Sequence, residues 1–272
     1  MICVQLMGGL GNQLFQYAFM RHIEELKFPD VCLDLHWFDK EEARAEQFQR
    51  VLEIDRFQTR YHAINCHGKS PCSRVIYETQ GTYSDMQLVG GDVFLCGWWQ
   101  DLNYYVYVLE DLKRECTLKP TYVDDDMRLT EARMQQENSV ALHVRRSDYL
   151  TETNRKTFAP CPLSYYENAV RYLAAELGTA PVLYVFSDDP AWVKENMREF
   201  CGYETHFVET GEGCKDMYLM SRAHHNIIAN STFSWWAAFV NPSPGHLTIA
   251  PEKWFLDRPN PNLYFREWVV LS

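Results

Sequence analysis

The second half of the chain alternates between short apolar runs and longer amphipathic runs. The short runs predict five strands, at 139–145, 182–186, 204–208, 226–229 and 247–250. The runs between them predict helices at about 164–177, 190–199, 214–223 and 232–240. Strands that alternate with helices are typical of a parallel, doubly wound α/β sheet. Right-handed crossovers should bring the carboxyl ends of all five strands to one edge.

The first half shows a weaker version of this pattern. It predicts a strand at 2–6, a glycine loop, a helix at about 12–27, strands at 31–35 and 93–96, and a helix at 103–116. Residues 39–91 show no clear pattern, and the polar segment 119–138 is the predicted junction. We therefore expect two domains, 1–125 and 126–272.

The composition limits the classes of function. With 46% hydrophobic and 23% charged residues, the chain is typical of a soluble globular protein. A formal net charge of −11 argues against a nucleic-acid partner, because phosphate backbones need a basic surface. The nine cysteines include no C-x-x-C pair, which indicates reduced thiols. The apolar run at 1–6 is too short for a signal peptide, so we expect a cytoplasmic protein.

Two arginines follow the most apolar predicted strand. Arg145 and Arg146 stand in the run from His143 to Asp148, directly after 140–142. A guanidinium is always charged and has a planar fork of donors, so two of them beside a core strand predict an anionic ligand. The alternative is that the arginines pair with Asp148 or another acid and only hold a loop.

Two further polar segments follow predicted strands of the same sheet. Asp188 and Asp189 stand before Pro190, so one of them should cap the helix that begins there, while the other could accept hydrogen bonds from a guanine edge. Segment 230–234 places hydroxyls at a helix start, which is a favourable place for an anion. The aromatic residues that follow, at 235, 236 and 239, are predicted to belong to the core.

The glycine loop at 8–13 lies between a strand and a helix, as in dinucleotide-binding folds. The third glycine of that fingerprint is missing, because Leu14 stands at its position, so we do not expect NAD. A tight turn with Asn12 as the helix N-cap is the structural alternative. No metal site is predicted: the acidic run at 124–126 is interpreted as solvated, and His224 and His225 are adjacent and cannot share a face.

Four segments together resemble a known family. They are GGLGNQLFQY at 8–17, HVRRSDY at 143–149, VFSDD at 185–189 and NSTFSWW at 230–236. In this order they are similar to the α-1,2-fucosyltransferases of glycosyltransferase family 11. The resemblance implies a GT-B-like fold with two Rossmann-like domains facing a central cleft, the first on the acceptor side and the second binding the donor. It also implies a GDP-β-L-fucose donor, inverting transfer to the 2-hydroxyl of a terminal galactose, and no metal or other cofactor.

The resemblance also implies roles for individual residues. Arg145, beside the β-phosphate, and Asn12, facing the transferred sugar, would be the catalytic residues. The donor-binding residues would be Gly11, His143 and Asp188, the last two near guanine, and Ser231, Thr232 and Ser234, near the diphosphate. Arg146 and Asp148 are interpreted as loop supports, and Asp189 as the helix cap. Acceptor choice is assigned to residues 39–91.

Three questions stay open at this stage. The general base is not identified, and Asp34, His36 and Asp101 are candidates. Other functions compatible with the chain are a transferase that uses another GDP-sugar and a non-catalytic carbohydrate-binding protein. A bacterial cytoplasmic location is expected, with contact to the inner membrane where lipid-linked acceptors lie.

Overall fold

The computed structural model describes residues 1–40, 50–67, 70–78 and 84–272. The chain divides into two compact units, Met1–Thr117 and Leu118–Ser272. The division lies before the boundary expected at 125/126, which falls in the first turn of helix α3 (Asp125–Gln136). No helix among the described residues is long and apolar enough to cross a membrane.

The first unit is built on a five-stranded parallel sheet. Its strands are β1 (Ile2–Gln5), β2 (Val31–Asp34), β3 (Ala63–Ile64), β4 (Arg74–Tyr77) and β5 (Val93–Cys96), and their order is β3-β2-β1-β5-β4. Its helices are α1 (Leu10–Glu25) and α2 (Leu109–Glu115). Central strand β1 is buried on both faces, which explains its continuous apolar sequence. The helix predicted at 103–116 is shorter, because a 3₁₀ turn (Leu102–Tyr104) precedes α2.

The second unit is built on a six-stranded parallel sheet. Its strands are β6 (Ser139–Val144), β7 (Val182–Ser187), β8 (Thr205–Phe207), β9 (His225–Ile227), β10 (Thr248–Pro251) and β11 (Val269–Leu271), in the order β11-β10-β9-β6-β7-β8. Its helices are α3, α4 (Leu163–Leu177), α5 (Pro190–Asn196), α6 (Gly213–Met220) and α7 (Thr232–Phe239). The five predicted strands are confirmed, and β11 adds a sixth.

The core of the second unit lies between β6 and helix α4. Val140, Leu142 and Val144 alternate along the strand and pack in one cluster with Ala169 and Leu173. All six residues of β6 are buried, so the chain reaches solvent only where the strand ends. The parallel sheet therefore places the segments after β6, β7 and β9 at one edge.

The acidic run at 124–126 begins helix α3. Asp124 accepts a hydrogen bond from the main-chain nitrogen of Met127 at 2.9 Å, and Asp125 and Asp126 occupy the first turn. Carboxylates at a helix start are favourable because they accept from unpaired N–H groups and oppose the helix dipole. This run is a helix cap at the predicted junction.

Candidate active site

Arg145 lies where the buried strand β6 ends. Its Nη2 donates a hydrogen bond to Asp148 Oδ2 at 2.5 Å, and its Nη1 lies 3.2 Å from Asp188 Oδ2. Burial would lower the pKa of Arg145, but Asp188 and Asp148 outweigh it and the pKa is raised, so the guanidinium stays charged. The pairing with acids that the alternative interpretation predicted is therefore present. In the described part of the chain these two carboxylates engage only some of the five N–H groups of Arg145, which leaves donors for an anion.

Asp188 joins the end of β7 to the loop after β6. Its Oδ1 accepts from the main-chain nitrogen of Arg146 at 2.9 Å, and its Oδ2 accepts from that of Ser147 at 3.1 Å. The Ser147 hydroxyl donates in return to the main-chain oxygen of Asp188 at 2.7 Å. These bonds fix the chain on the C-terminal side of Arg145. The guanine contact predicted for Asp188 stays a prediction, and it would have to use the remaining lone pairs of the carboxylate.

Arg146 and Asp189 support the same loop. The Asp189 carboxylate accepts from the main-chain nitrogen of Trp192 at 3.2 Å, which confirms Asp189 as the cap of helix α5. The Arg146 Nε donates to the second oxygen of Asp189 at 3.3 Å, and its guanidinium lies 3.8 Å from the centre of the Trp192 ring. The second arginine is thus held against helix α5 by an ion pair and an aromatic face.

His143 is buried one residue before the end of β6. Burial, and secondarily the positive charge of Arg145, lower the pKa of His143 to about 3. The imidazole is therefore neutral at physiological pH, and its Nδ1 has no hydrogen-bond partner among the described residues. Its ring centre lies 5.4 Å from that of Phe233 in helix α7. A neutral buried ring with an unpaired nitrogen can bond to a ligand without bringing a second charge.

The start of helix α7 is the second part of this edge. Ser231 is the N-cap residue, but its side chain makes no capping hydrogen bond, and Thr232 opens the helix. The Tyr149 hydroxyl donates to the main-chain oxygen of Asn230 at 2.6 Å, which connects this start to the arginine loop. Because the N–H groups of a first turn have no partner within the helix, this end is suited to an anion.

Ser234 and the following aromatic residues lie inside the unit. The Ser234 side chain is fully buried, and its hydroxyl donates to the main-chain oxygens of Ser231 and Ala229, at 3.3 Å and 3.5 Å. Its predicted contact with a diphosphate stays a prediction, and this geometry gives the hydroxyl a role within the helix. Trp235 and Trp236 are 1% exposed, which confirms them as core.

In the first unit, the glycine loop joins β1 to α1. Gly8 has a φ of +78°, and a methyl group there would stand 3.1 Å from both the Trp98 ring and the Asn12 amide nitrogen. Gly9 is the N-cap residue of α1, so the structural alternative in which Asn12 caps the helix is wrong. Asn12 is in the first turn, where its Oδ1 accepts from Gln100 Nε2 at 3.1 Å. Gly11 is buried beside it in the same turn.

Two glutamines of α1 hold this loop, and the sequence patterns did not predict this role for either of them. Gln13 donates to the main-chain oxygens of Gly8 and Val51 and accepts from the nitrogen of Glu53, at 3.0, 2.8 and 2.9 Å. Gln16 accepts from the main-chain nitrogen of Met7 at 2.8 Å. Both side chains are fully buried. The sequence offers one indication of this role: the two glutamines stand nearly one turn apart on a helix face that is otherwise apolar.

The three candidates for the general base lie at the same edge of the first sheet. Asp34 is 1% exposed, and its Oδ1 accepts from the main-chain nitrogens of Cys66 and His36. Asp101 accepts from the nitrogen of Asn103 and begins a 3₁₀ turn. The carboxylates of Asp34 and Asp101 are thus held by the main chain.

The third candidate, His36, lies in a group of potential metal ligands. His36, Asp39 and His67 each place a ligand atom within 4.8 Å of the others, which no other group in the described part of the chain does. Two histidines and a carboxylate suit a divalent transition metal. This group belongs to the first unit, whereas Arg145 belongs to the second.

Comparison with known proteins decides the family. The model of "Glycosyl transferase family 11" matches residues 1–272. The chain belongs to glycosyltransferase family 11. It is similar to an alpha-1,2-colitosyltransferase of Escherichia coli, with 32% identity over 93% of this chain and 92% of that protein. It is also similar to the Escherichia coli O-antigen biosynthesis glycosyltransferase WbnK, with 27% identity over 98% of this chain and 99% of that protein.

A more distant relative comes from mammals. Human galactoside alpha-(1,2)-fucosyltransferase 1 is 28% identical over 66% of this chain, and the match spans 51% of the human protein. Among solved structures, Arabidopsis thaliana FUT1 mutant R284K in complex with GDP has a TM-score of 0.52 and 12% identity over 91% of this chain and 69% of its own. A family 9 glycosyltransferase from Veillonella parvula has a TM-score of 0.50 and 12% identity over 99% of this chain and 86% of its own.

These findings confirm two predictions for the family 11 chain. The four sequence segments identified the family, and the two parallel α/β units have the GT-B-like fold class. The chain is therefore a glycosyltransferase. The edge of the second sheet brings together His143, Arg145, Asp188 and the helix start at Ser231 and Thr232. Asn12 and Gly11 belong to the first unit.

Proposed function

We propose that this family 11 chain is an inverting galactoside α-1,2-fucosyltransferase that uses GDP-β-L-fucose. The observation that carries the proposal is the charged Arg145, held by Asp148 and Asp188 beside a helix start that lacks a side-chain cap. This combination suits a diphosphate leaving group. A carbohydrate-binding protein without catalysis would have no use for it, because a neutral sugar does not need a half-buried guanidinium.

The reaction explains why fixed donors are needed. As the sugar–phosphate bond breaks, negative charge grows on the oxygen of the departing GDP, and donors already oriented in a water-poor site stabilise that charge most strongly. Arg145 would supply N–H groups of its guanidinium, and the start of α7 would supply main-chain N–H groups. We propose that these donors serve without a metal ion or another cofactor.

The remaining predicted residues would orient the donor. His143 and Asp188 are proposed for guanine, because an unpaired ring nitrogen and a carboxylate match its donor and acceptor edge. Ser231, Thr232 and Ser234 are proposed for the diphosphate. Gly11 and Asn12 of the first unit are proposed for the transferred sugar, with Asn12 facing it.

A second donor also has support. The 32% identical relative is named as an alpha-1,2-colitosyltransferase, so the chain could transfer another sugar carried by GDP. The charged edge at Arg145 would serve any such donor equally, because it would meet the diphosphate rather than the sugar. Sugar choice would then depend on the first unit.

The bacterial relatives support a proposal for the acceptor and the location. WbnK is named for O-antigen biosynthesis, which supports a surface glycan as the acceptor, and we propose that its terminal sugar is galactose. We propose a bacterial cytoplasmic enzyme that works at the inner face of the membrane, where lipid-linked acceptors lie. Nucleic acid is not a proposed partner, given the net charge of −11.

The test is a transfer assay with product analysis. Purified protein is incubated with GDP-fucose or GDP-colitose and a panel of β-galactosides, and the new linkage is determined by NMR. We expect an α-1,2-linked fucosyl product, and calorimetry should show binding of GDP but not of UDP or NAD. Exclusive transfer of colitose would favour the second donor. Binding of galactosides with no transfer from either donor would contradict both.

A further inference from the structure

A carboxylate outside the sequence predictions lies beside the glycine loop. Glu78 follows β4, the turn at Gly97 follows β5, and Gly8 lies after β1. These strands are neighbours in the order β1-β5-β4 and all are parallel, so the three segments meet at the carboxyl edge of the first sheet. Ligands of α/β folds bind at this edge.

Glu78 is fixed by the turn after β5. Its Oε2 accepts from the main-chain nitrogens of Trp98 and Trp99, at 2.7 and 2.8 Å. A methyl group at Gly97 would stand 2.5 Å from the Glu78 Cβ, so the close approach requires glycine at 97. No described residue donates a hydrogen bond to Oε1 of Glu78. The carboxylate therefore has a fixed position and one oxygen available to a ligand.

The turn holds two tryptophans in opposite environments. Trp99 has a φ of +56°, which is rare for a bulky residue, and its buried ring stacks on Phe19 with 3.8 Å between ring centres. Its neighbour Trp98 is 45% exposed, and its ring lies against the Gly8 α-carbon and near the Asn12 amide. Backbone strain of this kind occurs at binding sites, where it orients a side chain that packing alone would bury.

The exposed indole and the carboxylate match the parts of a neutral sugar. The C–H face of a pyranose packs on an aromatic ring, and a carboxylate oxygen accepts from a sugar hydroxyl. The amide nitrogen of Asn12, the residue proposed to face the transferred sugar, lies beside the same position: a methyl group at Gly8 would stand 3.1 Å from it and 3.1 Å from the Trp98 ring. A hydroxyl bound between Trp98 and Glu78 would therefore lie close to the proposed donor sugar position.

We propose that Trp98 and Glu78 form the acceptor subsite, in which Trp98 stacks on the galactoside and Glu78 removes the proton from its reacting hydroxyl. The inference rests on the proposed function. As the bond from the acceptor oxygen to the sugar C1 forms, the proton passes to Glu78 Oε1. The bond from C1 to the phosphate oxygen breaks, and its electron pair leaves with GDP.

The electrostatics of Glu78 agree with this role. Burial raises the pKa of Glu78, the two amide hydrogen bonds oppose the shift, and the nearby Asp101 adds to it. A carboxylate with a raised pKa is a stronger base than an exposed one. Asp34 is 1% exposed, so an acceptor would have little access to its carboxylate.

The experiment compares Glu78→Gln with a matched control. Gln keeps an oxygen for the two amides but cannot take a proton. We expect kcat for transfer to methyl β-galactoside to fall about 100-fold to 1,000-fold, while the galactoside KM and the Kd for GDP stay within about threefold. The control is Asp92→Asn. Asp92 stands just before β5, at the amino edge of the first sheet, and its carboxylate accepts a hydrogen bond from the main-chain nitrogen of Ser73. This variant should keep the wild-type kcat.

Trp98→Ala tests the stacking role that the proposal gives to Trp98. It changes a side chain that is 45% exposed, so it leaves the core intact. We expect the galactoside KM to rise about tenfold with an unchanged Kd for GDP, and Trp98→Phe to restore most of the affinity. A Glu78→Gln kcat above about a tenth of the wild-type value, or an unchanged KM in Trp98→Ala, would overturn the subsite. If Glu78→Gln melts well below the wild type, the result for Trp98→Ala decides. Wild-type protein that transfers no sugar would contradict the proposed function itself.

Discussion

The loops at the two sheet edges are held by different chemistry. At the edge of the second unit, Arg145 and Arg146 are charged and are held by Asp148, Asp188 and Asp189. At the edge of the first unit, the glycine loop is held by neutral amides.

Those amides are the side chains of Gln13 and Gln16, and the Gln100 amide bonds to Asn12. A diphosphate needs fixed positive charge, whereas a sugar needs neutral donors, acceptors and an aromatic face. Under the proposed function, the charged edge would bind the diphosphate and the neutral edge would bind a sugar.

The largest effect is expected from removing the charge of the second edge. Arg145→Ala should lower kcat by about two to three orders of magnitude, or roughly 3 to 4 kcal/mol of barrier, as when an oxyanion donor is lost. Arg145→Lys should recover little, because an ammonium cannot bond to both Asp148 and a phosphate with the geometry of the guanidinium fork. Steady-state kinetics with the GDP-sugar measure both. Near-normal turnover of the lysine variant would contradict the role.

The contrast between the edges also reflects what a sequence can reveal. The strands of the second sheet are continuous apolar runs because both faces are buried, as in β6, and such runs stand out. Strands β3 and β4 are short and mostly exposed, so the sequence pattern predicted only three of the five strands of the first sheet. Helix α3 was missed because, of its twelve residues, only Met127 and Met134 are buried.

Some residues of the two candidate sites could be predicted from local sequence patterns, and others could not. Asp189 could be predicted as a cap because Pro190 follows it, and Arg145 because a charged run ends a core strand. The hydrogen bonds from the loop after β6 to Asp188 span about forty residues, so no local spacing reveals them. Glu78 escaped for the same reason, since its partners lie twenty residues away. Part of the segment assigned to acceptor choice, at 41–49, 68–69 and 79–83, lies outside the described residues.

The next effect concerns His143 and pH. An unfolded histidine takes up a proton near pH 6.5, whereas folded His143 does so only at about 3, so between these values acid favours the unfolded chain. From pH 6.5 to pH 5 this histidine should reduce the free energy of unfolding by about 1.5 kcal/mol. Urea denaturation of the wild type and of His143→Gln at both pH values measures it.

The difference between the two proteins isolates this residue. His225, whose pKa burial lowers to about 4, contributes to the slope of both proteins and cancels. Equal pH slopes in the wild type and His143→Gln would show that folded His143 takes up its proton at the same pH as in the unfolded chain.

A smaller effect is expected at the first edge. Asn12→Ala should lower kcat about tenfold, because the proposed hydrogen bond to the transferred sugar would be lost, but should leave the Kd for GDP unchanged. Gln58→Ala, which removes an exposed amide of the same unit that donates to Thr117, is the control and should change neither quantity. Calorimetry on each variant measures the Kd for GDP, and steady-state kinetics on the same samples measure kcat. A large loss of GDP affinity in Asn12→Ala would show that the division of labour between the edges is wrong.

The smallest effect is expected from metal removal. Under the proposed function, Arg145 and the start of α7 supply the donors for the leaving group, so dialysis against EDTA should leave kcat unchanged. The ligand group of His36, Asp39 and His67 offers a check, since a metal there would act on the first unit. If EDTA lowers activity and His36→Ala reproduces the loss, the metal stabilises the first edge. If EDTA lowers kcat in His36→Ala as well, a metal shares the work of Arg145, and the charged edge is not sufficient for the leaving group.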